Sequence, residues 1–383
     1  MPEISQNIPN PINSYNYPML SNTIQEDIKT IANSIRTITE RFSGSTIIIT
    51  GGAGFLGNNF ISVFDFLNKN ILQKPCRIIS IDNFVTGVNY WIEESDYFKT
   101  IRHNIKEPLV IEENVDYIIH AAGIASPKFY RDYKIETIDV ATFGTKNMLE
   151  LAKRKNVKSM LFFSSSEAYG DPDPKFVPTP ESYFGNVSCI GPRANYDESK
   201  RLGETLCRVY FETYNIPVKW VRPFNVYGPG MRKDDYRVIP NFVACALNGK
   251  PLPVYGDGKN TRTFCYVTDA ITGFFEVLTS NYNGEVFNIG NDKEEITIES
   301  LAELIASLFG NNIPIKKTEG PLDVYTNADP KRRCPDITKM RTKLNFVPSV
   351  ELKTGLNRFI EWARESKYIS KNTNDNQTIT FQA

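Results

Sequence analysis

Two side chains that could together oxidise an alcohol stand four residues apart, at Tyr196 and Lys200. Residues at this spacing project from the same face of a helix. An ammonium beside a phenol lowers the pKa of the phenol, which can then take the proton of an alcohol while hydride leaves the same carbon. Alone, such a pair more often marks a solvated helix face, so it gains meaning only beside other motifs of a site.

Hydroxyl groups and an acid follow the apolar run Met160–Ser164, at Ser165, Ser166 and Glu167. Polar residues at the end of a buried strand are typical of the sheet edge where α/β proteins carry their sites. Ser165 could hydrogen-bond the hydroxyl that is oxidised, and Glu167 could move a proton to or from the carbon next to the new ketone. The alternative is a turn in which the serines cap backbone groups.

The strongest single motif is the glycine-rich run TGGAGFLG at 50–57, which follows the β-branched run Thr46–Thr50 and opens an apolar helix. Gly51 allows a tight turn, Gly54 lets the backbone approach a pyrophosphate, and Gly57 lets the helix pack on the strand. The start of the helix offers free N–H groups and a positive dipole end to the phosphates. This order predicts a dinucleotide site.

An acid, Asp82, ends the next apolar run, Arg77–Ile81. A carboxylate at this place accepts both hydroxyls of the adenosine ribose and repels a 2′-phosphate, so it favours NAD over NADP. A glycine turn without a cofactor is the alternative, and the order of strand, loop, helix, strand and acid argues against it.

Positioning these residues requires a parallel sheet covered by helices. Apolar runs at Tyr117–His120, Val218–Val221 and Val286–Ile289 continue the series of strands, and helical stretches such as Thr137–Lys155 and Tyr196–Tyr214 lie between them. The alternation predicts an α/β fold, a Rossmann-type doubly wound parallel sheet. Loops rich in glycine and proline, then helices at Thr297–Phe309 and Leu352–Glu365, predict a smaller C-terminal α/β lobe.

The expected organisation has four parts. We predict an N-terminal arm with an amphipathic helix over residues 1–43, a Rossmann domain over 44–225 with a return segment at about 265–290, a smaller lobe over 226–264 and 291–366, and a flexible tail over 367–383. The arm carries an isoleucine stripe at helical spacing, which must pack on the body of the chain or on a second subunit. Its members are Ile24, Ile28, Ile31, Ile35 and Ile38.

Composition narrows the class of partner. Lysine and arginine together number 44, as do aspartate and glutamate, so the formal net charge is zero and no nucleic-acid partner is expected. The six cysteines form no C-x-x-C pair and there are only two histidines, so no metal site is expected. Without a long apolar run or a secretory signal pattern, the chain is predicted to be cytoplasmic, with no membrane partner.

These motifs resemble the extended short-chain dehydrogenase/reductase family, whose members modify nucleotide sugars with NAD. The similarity runs from about Thr46 to Arg364. Within the family, several segments resemble those of the decarboxylases that act on UDP-glucuronate. They are YGDP at 169–172, GPRANYDESKR at 191–201, FN at 224–225, VYG at 254–256, TRTF at 261–264 and RCPDI at 333–337.

The resemblance implies a role for each site residue. Ser165 and Tyr196 would contact the sugar C4 hydroxyl, Lys200 would hold the nicotinamide ribose, and Ser166 and Glu167 would lie near C5 and C6. The cofactor-binding residues would be Gly51, Gly54, Phe55, Leu56, Gly57, Asp82, Asn83, Asn104, Ile105, Ala122, Tyr196 and Lys200. The residues that hold the nucleotide and its diphosphate would be Asn225, Arg237, Tyr255, Arg262 and Arg333. Arginine suits this work because its planar fork bonds two phosphate oxygens.

The resemblance also implies a reaction and an assembly. Oxidation at C4 of UDP-glucuronate places a ketone β to the carboxylate, so the C–C bond can break and a UDP-pentose results. A 4,6-dehydratase or 4-epimerase of the same family is the alternative, and an NAD-binding protein without catalysis is a third. A homodimer would form through the helices Thr137–Lys155 and Tyr196–Tyr214.

Three segments depart from the decarboxylase pattern. The loop FVTGVNYW after Asn83 lacks the usual basic residues, Asn104 stands where relatives place an aspartate near adenine, and the segment HAAGIASP differs around Gly123. These differences predict altered pyrophosphate contacts or a divergent branch with another substrate.

Overall fold

The structure is a computed structural model that describes residues 20–87, 90–233, 236–310, 312–319 and 329–366. The first nineteen residues of the predicted arm and the predicted tail at 367–383 lie outside the described residues.

One parallel sheet forms the centre of the fold. The strands are, in chain order, β1 (Thr46–Thr50), β2 (Arg77–Asp82), β3 (Phe98–Arg102), β4 (Tyr117–His120), β5 (Ser159–Phe163), β6 (Val218–Pro223), β7 (Val226–Tyr227), β8 (Leu252–Tyr255), β9 (Thr261–Arg262), β10 (Cys265–Tyr266), β11 (Val286–Ile289), β12 (Ile296–Thr297), β13 (Ile315–Thr318) and β14 (Arg332–Arg333). Seven of them pair in the order β11-β6-β5-β4-β1-β2-β3, all parallel. The winding direction reverses between β1 and β4, and ligands of such sheets bind in the crevice at that point. The predicted doubly wound parallel sheet is confirmed.

Two helical layers cover this sheet. The helices are α1 (Asn22–Ser34), α2 (Phe55–Asn70), α3 (Phe129–Asp132), α4 (Lys134–Asp139), α5 (Thr145–Lys155), α6 (Ala194–Tyr214), α7 (Val238–Leu247), α8 (Val267–Thr279), α9 (Ile298–Leu308), α10 (Thr338–Leu344) and α11 (Leu352–Glu365). Successive side chains of a strand point to opposite faces, so Ile47 and Ile49 pack with the layer of α2 and α8, whereas Ile48 packs with that of α5 and α6. Buried on both faces, the strands are continuous apolar runs.

The helix predicted at Thr137–Lys155 is interrupted. A π turn at Val140–Gly144 separates α4 from α5. A Cβ added at Gly144 would lie 2.7 Å from Cδ1 of Ile105, so the glycine lets this turn approach the loop after β3. A π turn has one residue more than a turn of an α-helix, and such turns are common at functional sites.

The isoleucine stripe of the arm packs on the body of the same chain. All five isoleucines are buried, and α1 lies against α2, α8 and α11. The buried Asp27 accepts a hydrogen bond from the Tyr266 hydroxyl at 2.7 Å and pairs with Arg358 at 2.7 Å. The helix therefore ties the layer of α2 and α8 to the C-terminal helix α11.

Smaller sheets and their helices lie outside the central sheet. β8 pairs with β13, and β9 lies between β12 and β14. The helices α7 and α9 pack against β8. Arg262 lies in β9 and Arg333 in β14, and both face the space next to the central sheet. Among the described residues, no helix is long and apolar enough to cross a membrane.

Candidate active site

A cavity of about 1130 Å³ opens at the carboxyl ends of the strands, between the central sheet and the smaller sheets. Every site residue predicted from the sequence lines this cavity, from the glycine loop to Arg262 and Arg333. The reason is topological, because the ends of parallel strands meet at one edge of a sheet. Their contacts with a ligand stay predictions.

The glycine loop fits a dinucleotide. Gly51 has a φ of +71°, and a Cβ there would lie 2.7 Å from the backbone of Ala122. A Cβ at Gly57 would lie 2.2 Å from the Gly51 carbonyl oxygen, so the helix can pack this closely only without a side chain. Gly54 precedes α2 and gives it no side-chain cap, so the first N–H groups of the helix, at residues that line the cavity, can bind phosphate oxygens.

Asp82 lies at the end of β2, on the same side of the cavity. Its Oδ2 accepts from the Ala53 amide at 3.0 Å and its Oδ1 from the Phe84 amide at 2.8 Å. Burial raises the pKa of Asp82, while these amides lower it. A carboxylate fixed in this way can accept the hydroxyls of a ribose, as the sequence predicts.

The loop after Asn83 that lacks basic residues is joined to an arginine from another segment. Nη1 of Arg232 donates to the Thr86 carbonyl at 3.1 Å, and Arg232 also lines the cavity. A cation therefore stands beside the loop although its own sequence has none. Val88 and Asn89 of this loop lie outside the described residues.

Asn104 and Ile105, which the resemblance assigns to the cofactor, line the cavity after β3. Oδ1 of Asn104 accepts from the Lys106 amide at 3.3 Å, and the Ile105 carbonyl accepts from Asn147 at 2.9 Å. Both contacts are local and hold the loop in shape. The amide of Asn104 can accept a hydrogen bond as a carboxylate does, but it carries no charge.

Tyr196 lies in the first turn of α6, with its ring stacked on that of Tyr130 at 5.2 Å between centroids and 15° between planes. Burial raises the pKa of Tyr196 to about 12, although a hydrogen bond with Ser165 lowers it. The sequence predicts a lowered pKa for this phenol, whereas burial here outweighs the polar contacts that would lower it.

The ammonium of Lys200 hydrogen-bonds a backbone carbonyl. Its Nζ donates to the Phe163 carbonyl at 2.7 Å and lies 5.9 Å from the centre of the Tyr196 ring. Burial lowers the pKa of Lys200 to about 8. A Cβ added at Gly123 would lie 3.0 Å from Nζ, so the departure from the decarboxylase pattern around this glycine leaves the lysine its space.

Ser165 caps the backbone, as one of the two sequence alternatives has it, and its predicted contact with a substrate hydroxyl stays a prediction. Its Oγ accepts from the Glu167 amide at 3.2 Å and so caps the 3-10 turn Ser166–Tyr169. The same hydroxyl hydrogen-bonds the Tyr196 phenol. The turn thus holds a hydroxyl at the place where a substrate alcohol would meet the phenol.

Glu167 is held by two arginines. Its Oε2 accepts from Nη2 of Arg333 at 2.6 Å and also contacts Arg193. Burial would raise the pKa of Glu167, but the positive charges of Arg193 and Arg333 lower it to about 2. Arg333, which the resemblance assigns to the nucleotide, lines the cavity and also bonds this acid.

No role was predicted for Arg193 from the sequence. It stands at the start of α6, and its guanidinium also meets the carboxylates of Asp197 and Asp329. Its position inside GPRANYDESK, three residues before Tyr196, was the signal that could have marked it.

The remaining predicted residues line the wall opposite the glycine loop. Burial and the charge of Arg333 lower the pKa of Arg262 to about 9. Asn225 has a φ of +41° and donates to the Thr263 carbonyl at 2.8 Å. Arg237 directly precedes α7 and Tyr255 ends β8, and both residues line the cavity. Six arginines line this cavity, and together they can bind an anionic ligand.

Comparison with known proteins identifies the family. Residues 47–290 match the model of the NAD dependent epimerase/dehydratase family. UDP-glucuronic acid decarboxylase 1 of Xenopus tropicalis is 41% identical over 325 residues, which cover 83% of this chain and 72% of that protein. UDP-glucuronic acid decarboxylase 5 of Arabidopsis thaliana is 42% identical over 318 residues, covering 82% and 88%.

Solved structures agree. An epimerase from Methanothermobacter thermautotrophicus has a TM-score of 0.74 at 26% identity, covering 88% of this chain and 96% of that one. UDP-glucuronic acid 4-epimerase from Bacillus cereus, in complex with UDP-glucuronic acid and NAD, has a TM-score of 0.68 at 27% identity, covering 84% and 99%. The protein therefore is an enzyme with NAD as its cofactor and belongs to the NAD dependent epimerase/dehydratase family.

Proposed function

We propose that the enzyme converts UDP-glucuronate to a UDP-pentose and CO₂ through transient oxidation at C4. The observation that carries the proposal is that one cavity holds the Ser165–Tyr196 hydroxyl pair and, beside it, the acid Glu167 among arginines. The identity of about two fifths with curated UDP-glucuronic acid decarboxylases supports it.

The first step concerns the C4 hydroxyl. NAD, when bound, supplies the acceptor for the hydride of C4 and later returns it. Ser165 would orient the sugar hydroxyl, and Tyr196 would take its proton. The hydrogen bond from Ser165 lowers the pKa of Tyr196 against the effect of burial, which is the direction that a general base requires. Lys200 would bind ribose hydroxyls.

The second step breaks a C–C bond. A ketone at C4 lies β to the C6 carboxylate, so the bonding electrons can flow into the ketone as CO₂ leaves. The resulting enolate needs a proton at C5, which Glu167 would deliver. Arg193, Arg262 and Arg333 would hold the substrate's negative groups, because a buried guanidinium binds carboxylate or phosphate oxygens strongly.

The test is direct. Purified protein incubated with UDP-glucuronate should release CO₂ and a UDP-pentose, followed by mass spectrometry, and UDP-glucose should give neither. A nucleotide sugar that has lost water, or UDP-galacturonate without loss of CO₂, would instead identify the dehydratase or the 4-epimerase. Conversion of none of these sugars would leave the third alternative, an NAD-binding protein without catalysis.

We also propose a homodimer formed through α4, α5 and α6. Large apolar side chains on these elements are exposed, among them Ile135 (65% exposed), Leu202 (48%) and Val209 (48%). Single exposed apolar residues are ordinary, but a group on adjacent helices is typical of an interface. A second copy related by a two-fold axis would cover this surface.

The cytoplasmic location stays a prediction. All six cysteines are free, and four of them are buried. Thiols in this form suit a reducing compartment.

A further inference from the structure

A continuous series of hydrogen bonds runs through the core next to the cavity. The Ala122 amide donates to Oγ1 of Thr50 at 3.2 Å, and the same oxygen lies 2.7 Å from Nδ1 of His120. Nε2 of that ring lies 3.1 Å from Oγ1 of Thr145, whose hydroxyl donates to the Ala141 carbonyl at 2.7 Å. The side chains of Thr50, His120 and Thr145 are fully buried, so each of these bonds is shielded from water.

These contacts determine which nitrogen of His120 carries the proton. A carbonyl can only accept, so the proton of the Thr145 hydroxyl lies between that oxygen and the Ala141 carbonyl. Oγ1 of Thr145 must then accept from Nε2–H. Burial and the charge of Lys200 lower the pKa of His120 to about 3, so the imidazole is neutral and has one N–H. Nδ1 is therefore an acceptor, and the Thr50 hydroxyl donates to it.

The direction of donation fixes the orientation of the Thr50 hydroxyl. Because its proton goes to Nδ1 of His120, its oxygen lone pairs remain available to the Ala122 amide. Every donor in the series points the same way, from the amide of Ala122 to the carbonyl of Ala141, and hydrogen bonds aligned in this manner strengthen one another. A side chain at position 120 without an acceptor would leave the Thr50 hydroxyl free to rotate.

The bond between Thr50 and Ala122 lies where β1 and β4 end. The Ala121 amide still donates to the Thr50 carbonyl at 3.2 Å, and beyond it the crevice for a ligand opens, because the winding direction reverses between these two strands. A Cβ added at Gly51 would lie 2.7 Å from the Ala122 nitrogen, so the glycine turn rests on this amide. Ala122 lines the cavity, whereas Thr50 and His120 are not among the described residues that line it.

The other end of the series reaches the helix that carries Tyr196 and Lys200. Ala141 belongs to the π turn, and a Cβ added at Gly203 of α6 would lie 3.2 Å from its carbonyl oxygen. Gly203 follows Lys200 by less than one helical turn. His120 therefore connects the strand ends beside the glycine turn to the segment on which α6 packs.

We propose that His120 is a positioning residue for NAD, which holds the Thr50 hydroxyl so that Thr50 fixes the distance between the ends of β1 and β4. The imidazole is buried behind the cavity and acts through Thr50 and the Ala122 amide. The inference concerns the binding of the cofactor, so it does not depend on the proposed decarboxylation.

The experiment measures the Kd of NAD by calorimetric titration, after any copurified NAD has been removed, and the thermal unfolding midpoint of each protein without NAD. The variants are His120→Phe, Thr50→Val, the double variant with both changes, and His120→Asn. The control is Val157→Ala, because Val157 is buried just before β5, at the edge of the sheet opposite the cavity. It lowers stability without touching the series.

His120→Phe keeps a ring and Thr50→Val keeps the size of the side chain, so each should raise the Kd of NAD about tenfold through the loss of one positioning contact. The double variant should also show a rise of about tenfold, because both changes remove the same contact. The side-chain oxygen of asparagine can take the place of Nδ1, so His120→Asn should stay within about threefold of the wild type. Val157→Ala should bind NAD as the wild type does.

Three results would overturn the inference. One is a Kd of NAD within about twofold of the wild type in Thr50→Val, which decides alone should His120→Phe fail to fold. Another is a rise of about a hundredfold in the double variant, since independent effects would add in free energy. The third is weakened binding in Val157→Ala to the same extent, which would trace the effect to a general loss of stability. A wild type that binds NAD but releases no CO₂ would contradict the proposed function alone.

Discussion

The ring of Tyr196 lies nearly parallel to that of Tyr130, with 5.2 Å between the centroids. Tyr130 comes from α3 and Tyr196 from α6, and the two form a small buried cluster with Ile124 beside the cavity. Such a pair restricts the rotation of both rings. The direction of the Tyr196 hydroxyl towards Ser165 therefore depends on a residue outside the predicted site.

Replacing Tyr130 tests this dependence. Tyr130→Ala removes the stacking partner and should lower kcat about tenfold, because a poorly oriented base transfers protons slowly. Tyr130→Phe keeps the ring and loses only a buried hydroxyl that has no hydrogen-bond partner among the described residues, so kcat and stability should stay near the wild type. Equal activity of the two variants would show that stacking does not orient Tyr196.

The role of Tyr196 itself has a second test. Tyr196→Phe keeps the packing and loses the proton acceptor, so turnover should fall by a factor of about 10² to 10⁴. Binding of NAD, followed by fluorescence titration, should survive, because the glycine loop and Asp82 are untouched. A variant with near-normal turnover would exclude Tyr196 from the chemistry.

The sequence was enough to predict where in the fold the site lies, and the reason is physical. Buried parallel strands are apolar runs, and the polar residues that follow them must meet at one edge, so the glycine loop, Asp82 and Ser165 come together in any such fold. β3 escaped prediction because Phe98–Arg102, at the edge of the sheet, has only two apolar residues and these do not form a run. The division into domains stays a prediction.

What the sequence could not show is burial and the resulting competition between charges. The spacing of Tyr196 and Lys200 predicts a lowered pKa for the phenol. Burial instead raises the pKa of Tyr196 to about 12, and Lys200 donates its hydrogen bond to the Phe163 carbonyl. The contacts of Arg193 depend on segments far apart in the chain, such as that of Asp329. No local pattern contains that information.

A buried lysine away from the cavity predicts a dependence of stability on pH. Lys219 is 1% exposed, its Nζ donates to Oγ of Ser159 at 2.8 Å, and burial lowers its pKa to about 8 from 10.5. Between pH 8 and 10.5, Lys219 is protonated in the unfolded chain and neutral in the folded chain. The free energy of unfolding therefore rises with pH in this range, by about 1 kcal/mol per pH unit.

Lys219→Met should therefore be more stable than the wild type at pH 8, and this advantage should shrink as the pH approaches 10. Urea unfolding at several pH values measures it. Lys259→Met, a change at an exposed lysine, should show no such trend. A constant difference between Lys219→Met and the wild type would mean that the folded lysine does not lose its proton in this range.

The arm helix should contribute to the stability of the whole fold. Ile31 is fully buried between α1 and the body, so Ile31→Ala should lower the free energy of unfolding by about 2–4 kcal/mol. Ile31→Val removes one methylene and should cost about 1 kcal/mol, and Lys29→Ala on the exposed face should be nearly neutral. A single transition weakened by Ile31→Ala would show that the arm unfolds with the body, whereas an unchanged main transition would show that it detaches first.

The proposed dimer predicts which exposed apolar residues matter. Leu202→Glu places a charge on α6 within the surface that a second copy would cover, and burying that charge twice across a two-fold axis should shift the protein to monomer at micromolar concentration. Val110→Glu is the matched control, because Val110 is 78% exposed but lies outside α4, α5 and α6. Light scattering should give a dimer mass for the wild type and for Val110→Glu, and a monomer mass for Leu202→Glu. Because α6 also contains Tyr196 and Lys200, the monomer should lose activity if α6 becomes less ordered without its partner. A wild type that is itself monomeric would contradict the proposal.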